Sequence, residues 1–193
     1  MKAKILMAII LTFTFYCGMA QNEKQSQDKY LIVLDIQQHF TEGIIPNNEA
    51  AQLISTINSI IATWDKSKII YVKSVLTTLN ISAKGFKIDT LPQLEFDKRL
   101  NVVNNNIVLK NKANAFKSTE LTNLLKQNQV KDIVVVGLMA EHCVYQTLIG
   151  GKKLGYRMYV IPEAVAGKTT DSKMKIMNKL AKKGINTIHL PAR

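Results

Sequence analysis

The chain has 193 residues, 47% hydrophobic and 21% charged, with a formal net charge of +12. That length and balance predict one compact domain with a sizeable buried core and exclude general disorder. The basic surplus is mostly lysine, and no aromatic-interleaved arginine module accompanies it, which argues against a nucleic-acid partner and leaves attraction for small anions open.

At the start, Lys2 and Lys4 precede an apolar run from Ile5 to Tyr16, followed by Gly18, Met19 and Ala20. This layout predicts a signal peptide over residues 1–20, cleaved after Ala20, and hence a periplasmic or secreted protein. The run is short for a membrane span, and the polar linker of residues 21–29 supplies no stop-transfer pattern, so no stable membrane insertion is expected after cleavage. Cys17 follows Thr14, Phe15 and Tyr16, which do not form a lipobox. Removing Lys2 and Lys4 lowers the charge from +12 to +10 and leaves Cys143 as the lone cysteine. A lone thiol in an exported protein is either a reactive group or a buried spectator.

The remaining residues, 30–193, alternate two patterns. YLIVLD, KIIYVKSV, NIVLK, DIVVVG, YRMYVIP and INTIHL are continuous β-branched runs, as expected of strands buried on both faces. Between the first two, Ala50, Leu53, Ile54, Ile57, Ile60, Ile61 and Trp64 form one helical stripe, with Asn47 or Asn48 as candidate cap. The Leu121, Leu124, Leu125 stripe predicts a second helix, and a third runs from about Glu141 to Lys153, ended by Gly155. Near the end, Met174, Met177, Leu180 and Ala181 share one face of a lysine-rich helix. Residues Thr77 to Leu100 show no clear period and are expected to form a long loop or lid. The alternation predicts an α/β three-layer sandwich: an open, mostly parallel sheet flanked by helices.

In such sheets ligands bind beyond the carboxyl ends of the strands, near the switch in strand order. Asp35 ends the first strand, Lys110 the third, and Cys143 lies just after the fourth. Together they would make a nucleophilic site, with a thiolate from Cys143 favoured by a helix N-terminus or by the Lys110 cation, and Asp35 as proton acceptor. Backbone N–H groups before Cys143 would stabilise an oxyanion. Each also has an ordinary role: a turn-capping aspartate, a solvated lysine and a core cysteine.

The words around these residues resemble the isochorismatase-like cysteine hydrolases. LIVLDIQQHF carries Asp35, Gln37 and Phe40 in the order of their opening motif. VLKNKANAFKSTEL has Lys110, Phe116, Thr119 and Leu121 at the spacing of the second, and GLMAEHCVYQT has Gly137, Cys143, Val144 and Thr147 at that of the third. The resemblance implies a Rossmann-like sheet of six parallel strands and a catalytic triad of Asp35, Lys110 and Cys143, with Lys110 preferred over Lys112. It also implies a cis Leu138–Met139 peptide and an oxyanion hole from the Met139 and Cys143 amides. Gln37, Phe40 and Phe116 would bind substrate, and symmetric homo-oligomers are implied.

The nicotinamidase branch holds a metal with an aspartate and histidines after the second strand. This chain has only His39, His142 and His189, none in that region, so neither metal nor cofactor is expected. His142 beside the cysteine is expected to face outward or line the pocket, not to act as base, and Glu163 stands where the family commonly has aspartate. The retained cysteine favours hydrolysis of a small amide or related C–N bond through a thioester. The alternatives are an enol-ether hydrolase, which would not need Cys143, and a non-catalytic binder of small anions.

Overall fold

The computed structural model describes residues 28–75, 77–82, 85–90 and 95–191. The predicted signal peptide and most of the linker lie outside them. Six strands form one sheet: β1 (Tyr30–Leu34), β2 (Ile69–Ser74), β5 (Ile107–Lys110), β6 (Asp132–Gly137), β7 (Arg157–Val165) and β8 (Asn186–Thr187). Their spatial order is β5-β2-β1-β6-β7-β8, and every pairing is parallel. The order therefore reverses between β1 and β6, where such sheets open a crevice at the carboxyl ends.

The apolar runs exist because both sheet faces are covered. Successive side chains alternate: Leu31, Val33, Ile69, Tyr71, Val134 and Val136 enter one core, while Ile32, Leu34, Ile70, Val72, Ile133 and Val135 enter the other. The first core is closed by α2 (Asn47–Thr63) through Ala50, Leu53, Ile54, Ile57, Ile60 and Ile61, the stripe read from the sequence. The second is closed by α3 (Thr119–Gln127), α4 (Tyr145–Lys153) and α5 (Thr170–Lys182), through Leu121, Leu125, Leu148 and Leu180. The result is the expected three-layer sandwich. No helix among the described residues is long and apolar enough to cross a membrane.

Several expectations change in detail. Pro46, not an asparagine, is the N-cap of α2, and no side chain caps it; Asn47 is already inside the first turn. On α5, Leu180 is buried, Ile176 and Met177 are half-buried, and Met174 is 56% exposed, so the buried face is rotated from the Met174/Ala181 stripe. The helix expected from Glu141 begins as a π-helical turn, Ala140–Val144, before continuing as α4.

Residues Thr77 to Leu100 are not an unstructured lid. β3 (Thr77–Ser82) and β4 (Gly85–Thr90) pair antiparallel, placing Leu79 opposite Ile88 and Ile81 opposite Phe86. That period of two is too short and too interrupted by Thr, Asn and Ser to stand out in one sequence. The chain then returns to the sheet. Phe96 bridges to Gln37, Gln38 N–H donates to Glu95 O at 3.0 Å, and Asp97 N–H donates to Ile36 O at 3.0 Å. Asp97 is buried, accepting from Thr41 Oγ1 at 2.6 Å and Arg99 Nε at 2.9 Å; the guanidinium holds its carboxyl far below the usual range. This pins the segment against α1 (Gln38–Gly43), a short helix with no apolar stripe to predict it.

Candidate active site

Two features bring the sheet's carboxyl ends together. Asp35 follows β1 in the left-handed region, with φ of 59°, a strained conformation for a residue with a Cβ. Its N–H remains tied to Val72 O at 2.9 Å while its C=O accepts from Gln37 N–H at 2.8 Å, a tight kink. Gly137 ends β6 with φ of 119°, and a Cβ there would overlap the Leu34 carbonyl. Only glycine lets β6 lie this close to β1 where both strands deliver site residues. The Leu138–Met139 peptide that follows is cis. Leu138 N–H then donates to Leu34 O at 3.1 Å, and Ala140 N–H to Ala166 O at 2.8 Å.

Asp35, Lys110 and Cys143 meet at this crevice. Lys110 Nζ lies 2.9 Å from Asp35 Oδ2 and 3.3 Å from Cys143 Sγ. Both charged side chains are 2% exposed, whereas the cysteine is half-buried and so reachable. Lys110 points inward and Lys112 is exposed. Strand pleating sends alternate side chains to opposite faces, but Lys112 lies beyond β5, so the structure itself makes the selection.

Burial, and then the nearby Asp35 carboxylate, push the Cys143 thiol up to about 11, against the smaller opposing effect of Lys110. Lys110 favours the thiolate as expected, but its effect is outweighed, so the resting sulfur carries its proton at neutral pH and needs an acceptor such as Asp35. Asp35 Oδ2 has no aligned hydrogen bond among the described residues, which leaves acceptor capacity beside that proton.

Ser74 is a member of this cluster that no sequence motif singled out. Its Oγ accepts from Lys110 Nζ at 2.7 Å and donates to Asp35 Oδ1 at 2.8 Å. The two residues are register partners at the ends of β2 and β5. A lone serine closing a strand gives no signal in sequence, because its meaning depends on which strand lies beside it.

Two residues expected to bind substrate are committed elsewhere. Gln37 is fully buried; its Oε1 accepts from Ser74 N–H at 2.7 Å and its Nε2 donates to Ser74 O at 3.1 Å. It clamps the end of β2 to the kink after β1. Phe116 is 6% exposed and stacks on Tyr156 with ring centroids 5.3 Å apart, inside the second core. Phe40 is half-buried against the first core, whose members include Met139. Thr147 Oγ1 accepts from Ala115 N–H at 3.0 Å, tying α4 to the turn after β5. The motif positions other than Asp35, Lys110 and Cys143 thus include a set that holds the site's walls together.

His142 and His39 are exposed, and His189 Nδ1 lies 2.8 Å from Glu163 Oε1. Glu141 faces away, accepting from Lys168 N–H at 2.9 Å and from the Ser172 hydroxyl at the start of α5. Burial pushes its carboxyl up, but these hydrogen bonds and one from its own backbone N–H together outweigh that and hold it below the usual carboxylate range. The residues around Cys143 do not suit a divalent metal: an ammonium fills the space between the one carboxylate, the hydroxyl and the sulfur. Among the described residues no three His, Cys, Asp or Glu side chains converge.

Comparison with known proteins finds the same fold repeatedly. The pyrazinamidase of Pyrococcus horikoshii, solved in complex with zinc, superposes with a TM-score of 0.69 at 23% identity, covering 84% of this chain and 99% of that one. The N-carbamoylsarcosine amidase of Thermoplasma acidophilum gives 0.68 at 18% identity, covering 86% and 99%. The secreted isochorismatase effector Isc1 of Verticillium dahliae is 27% identical over 159 residues, 80% of each chain. The isochorismatase domain model matches residues 29–191, the whole sheet with its flanking helices and all three sequence motifs, and the chain belongs to that family.

Proposed function

We propose that this protein is a hydrolase that cleaves a small amide or related C–N bond through a thioester on Cys143. Family membership supports a hydrolase, and the names of the structural relatives, an amidase and a pyrazinamidase, suggest the bond. The observation that carries the reading is the buried Lys110 ammonium within 2.9 Å of Asp35 and 3.3 Å of a reachable Cys143.

In this reading Asp35 takes the Sγ proton as sulfur attacks the carbonyl carbon. A C–S bond forms, and the carbonyl electrons move to oxygen, which the Met139 and Cys143 amides receive. Collapse breaks the C–N bond, and the leaving amine takes the proton from Asp35. Water then gives a proton to Asp35 and attacks the thioester; the C–S bond breaks, and the sulfur regains a proton. The raised thiol fits this order. While Asp35 is charged it opposes ionisation of the sulfur, and once it accepts the proton that repulsion ends and Lys110 alone faces the new thiolate. Slow alkylation of the resting thiol is therefore no mark of a mere binding protein.

The test is a screen of small amides and carbamates with intact-mass detection. Turnover with an acyl adduct on Cys143, both lost in Cys143→Ala, is the expected result. Turnover that survives Cys143→Ala overturns the thioester and favours an enol-ether type of reaction; ligand affinity without turnover favours an anion-binding role. Export belongs to the same reading, supported by the Lys2, Lys4 and Ile5–Tyr16 layout and by a relative named as secreted. The exported form should begin at Gln21 by mass, and gel filtration should give a homo-oligomer.

A further inference from the structure

We propose that Ser74 is a positioning residue of this site, resting on the hydrolase reading above: its hydroxyl assigns different tasks to the two oxygens of Asp35 and aims Lys110 at the sulfur. A serine hydroxyl has one hydrogen. Because Ser74 Oγ accepts from Lys110 Nζ at 2.7 Å, its hydrogen is directed to Asp35 Oδ1 at 2.8 Å. That fixes the carboxylate's rotation and leaves Oδ2, 2.9 Å from Lys110 Nζ, on the side of the crevice that Cys143 shares.

Lys110 is fixed in the same way. An ammonium has three hydrogens, and this one lies against three groups: Ser74 Oγ, Asp35 Oδ2 and Cys143 Sγ. With the hydroxyl removed, the freed N–H turns to the nearest negative charge, Asp35, which draws the ammonium toward the carboxylate and away from the sulfur. The charged and titratable side chains that face Sγ among the described residues are Lys110 from β5 and Asp35 after β1. Neighbours on its own turn do not compete, since His142 is exposed and Glu141 is bonded to the start of α5.

Ser74 can perform this task because it does not drift. Both its backbone groups are held by the fully buried Gln37 amide, at 2.7 and 3.1 Å, and its register pairing with Lys110 sets the two side chains side by side. A serine with only a packing role would need neither the clamp nor a place between two opposite charges.

The test needs no substrate. Full-length wild type, Ser74→Ala and the equal-shaped pair Ser74→Thr and Ser74→Val are alkylated with iodoacetamide across the alkaline range. Modification is read on the Cys143 peptide so that Cys17 does not contribute, and thermal melts confirm that each variant is folded. Loss of one hydrogen bond to a charged group predicts that Ser74→Ala alkylates about tenfold more slowly near pH 9, with its profile displaced upward by about one pH unit. Ser74→Thr should stay close to wild type and Ser74→Val should follow alanine, which keeps the comparison valid if the alanine variant does not fold. A folded alanine or valine variant that alkylates as fast as wild type, or faster, overturns the proposal. Absence of an acyl adduct with every amide overturns the hydrolase reading instead and leaves the alkylation result standing. Where a substrate is turned over, kcat falls in Ser74→Ala while KM holds.

Discussion

Replacing Lys110 with methionine tests how much of the fold depends on the site's own charges. At 2.9 Å, and with an effective dielectric constant near 20, the attraction between Lys110 and Asp35 is about 6 kcal/mol before desolvation is subtracted. Both side chains are 2% exposed, so most of that attraction offsets the cost of taking two charges from water. Methionine keeps the volume and removes the charge. Asp35 is then left in the crevice with only neutral donors, the Ser74 hydroxyl at 2.8 Å and the Cys143 thiol. Leaving one member of a buried pair alone costs about 3–5 kcal/mol, a large share of the roughly 5–15 kcal/mol that holds a domain together. Urea denaturation followed by circular dichroism should show this as a lower midpoint with an unchanged slope. The double variant Asp35→Asn/Lys110→Met, with neither charge, should regain about half of the loss or more. If Lys110→Met costs under about 1 kcal/mol, or the double variant is no better than the single one, the pair is not the buried, mutually dependent unit described above.

Other expectations follow from single residues. Gly137→Ala should cost about 3 kcal/mol or more in the same denaturation experiment, because the new Cβ meets the Leu34 carbonyl and the φ of 119° is unsuited to an L residue; an unchanged midpoint would show that β6 can shift away from β1. With its thiol raised to about 11, Cys143 should alkylate much more slowly at pH 8 than free cysteine and accelerate toward pH 11. The same rise has a stability sign: between about pH 9 and 11 the unfolded thiol has lost its proton and the folded one has not, so stability falls across that window. Cys143→Ser should lack this part of the fall when melts are compared at pH 8 and 11. Thr169→Ala should cost about 1 kcal/mol by opening the capping box in which Thr169 Oγ1 accepts from Ser172 N–H and Ser172 Oγ accepts from Thr169 N–H, each at 3.1 Å.

The sequence alone determined the layers and the rim. The apolar runs marked the six strands, and those of β1, β2 and β6 are buried on both faces as read, whereas the last run yields only the short, exposed β8; the α2 stripe closes one face. Chain order then placed Asp35, Lys110 and Cys143 at carboxyl ends, and the motif spacing named the family. What it could not decide is which neighbours each residue meets, since that depends on strands brought together from distant parts of the chain. Lys110 over Lys112, Ser74 between two charges, and Gln37 and Phe116 turned to structural work are all consequences of register and packing. The thiol follows the same rule: the sequence named Lys110 as a cation that favours the thiolate, but only the folded crevice shows that burial and the charge of Asp35 outweigh it.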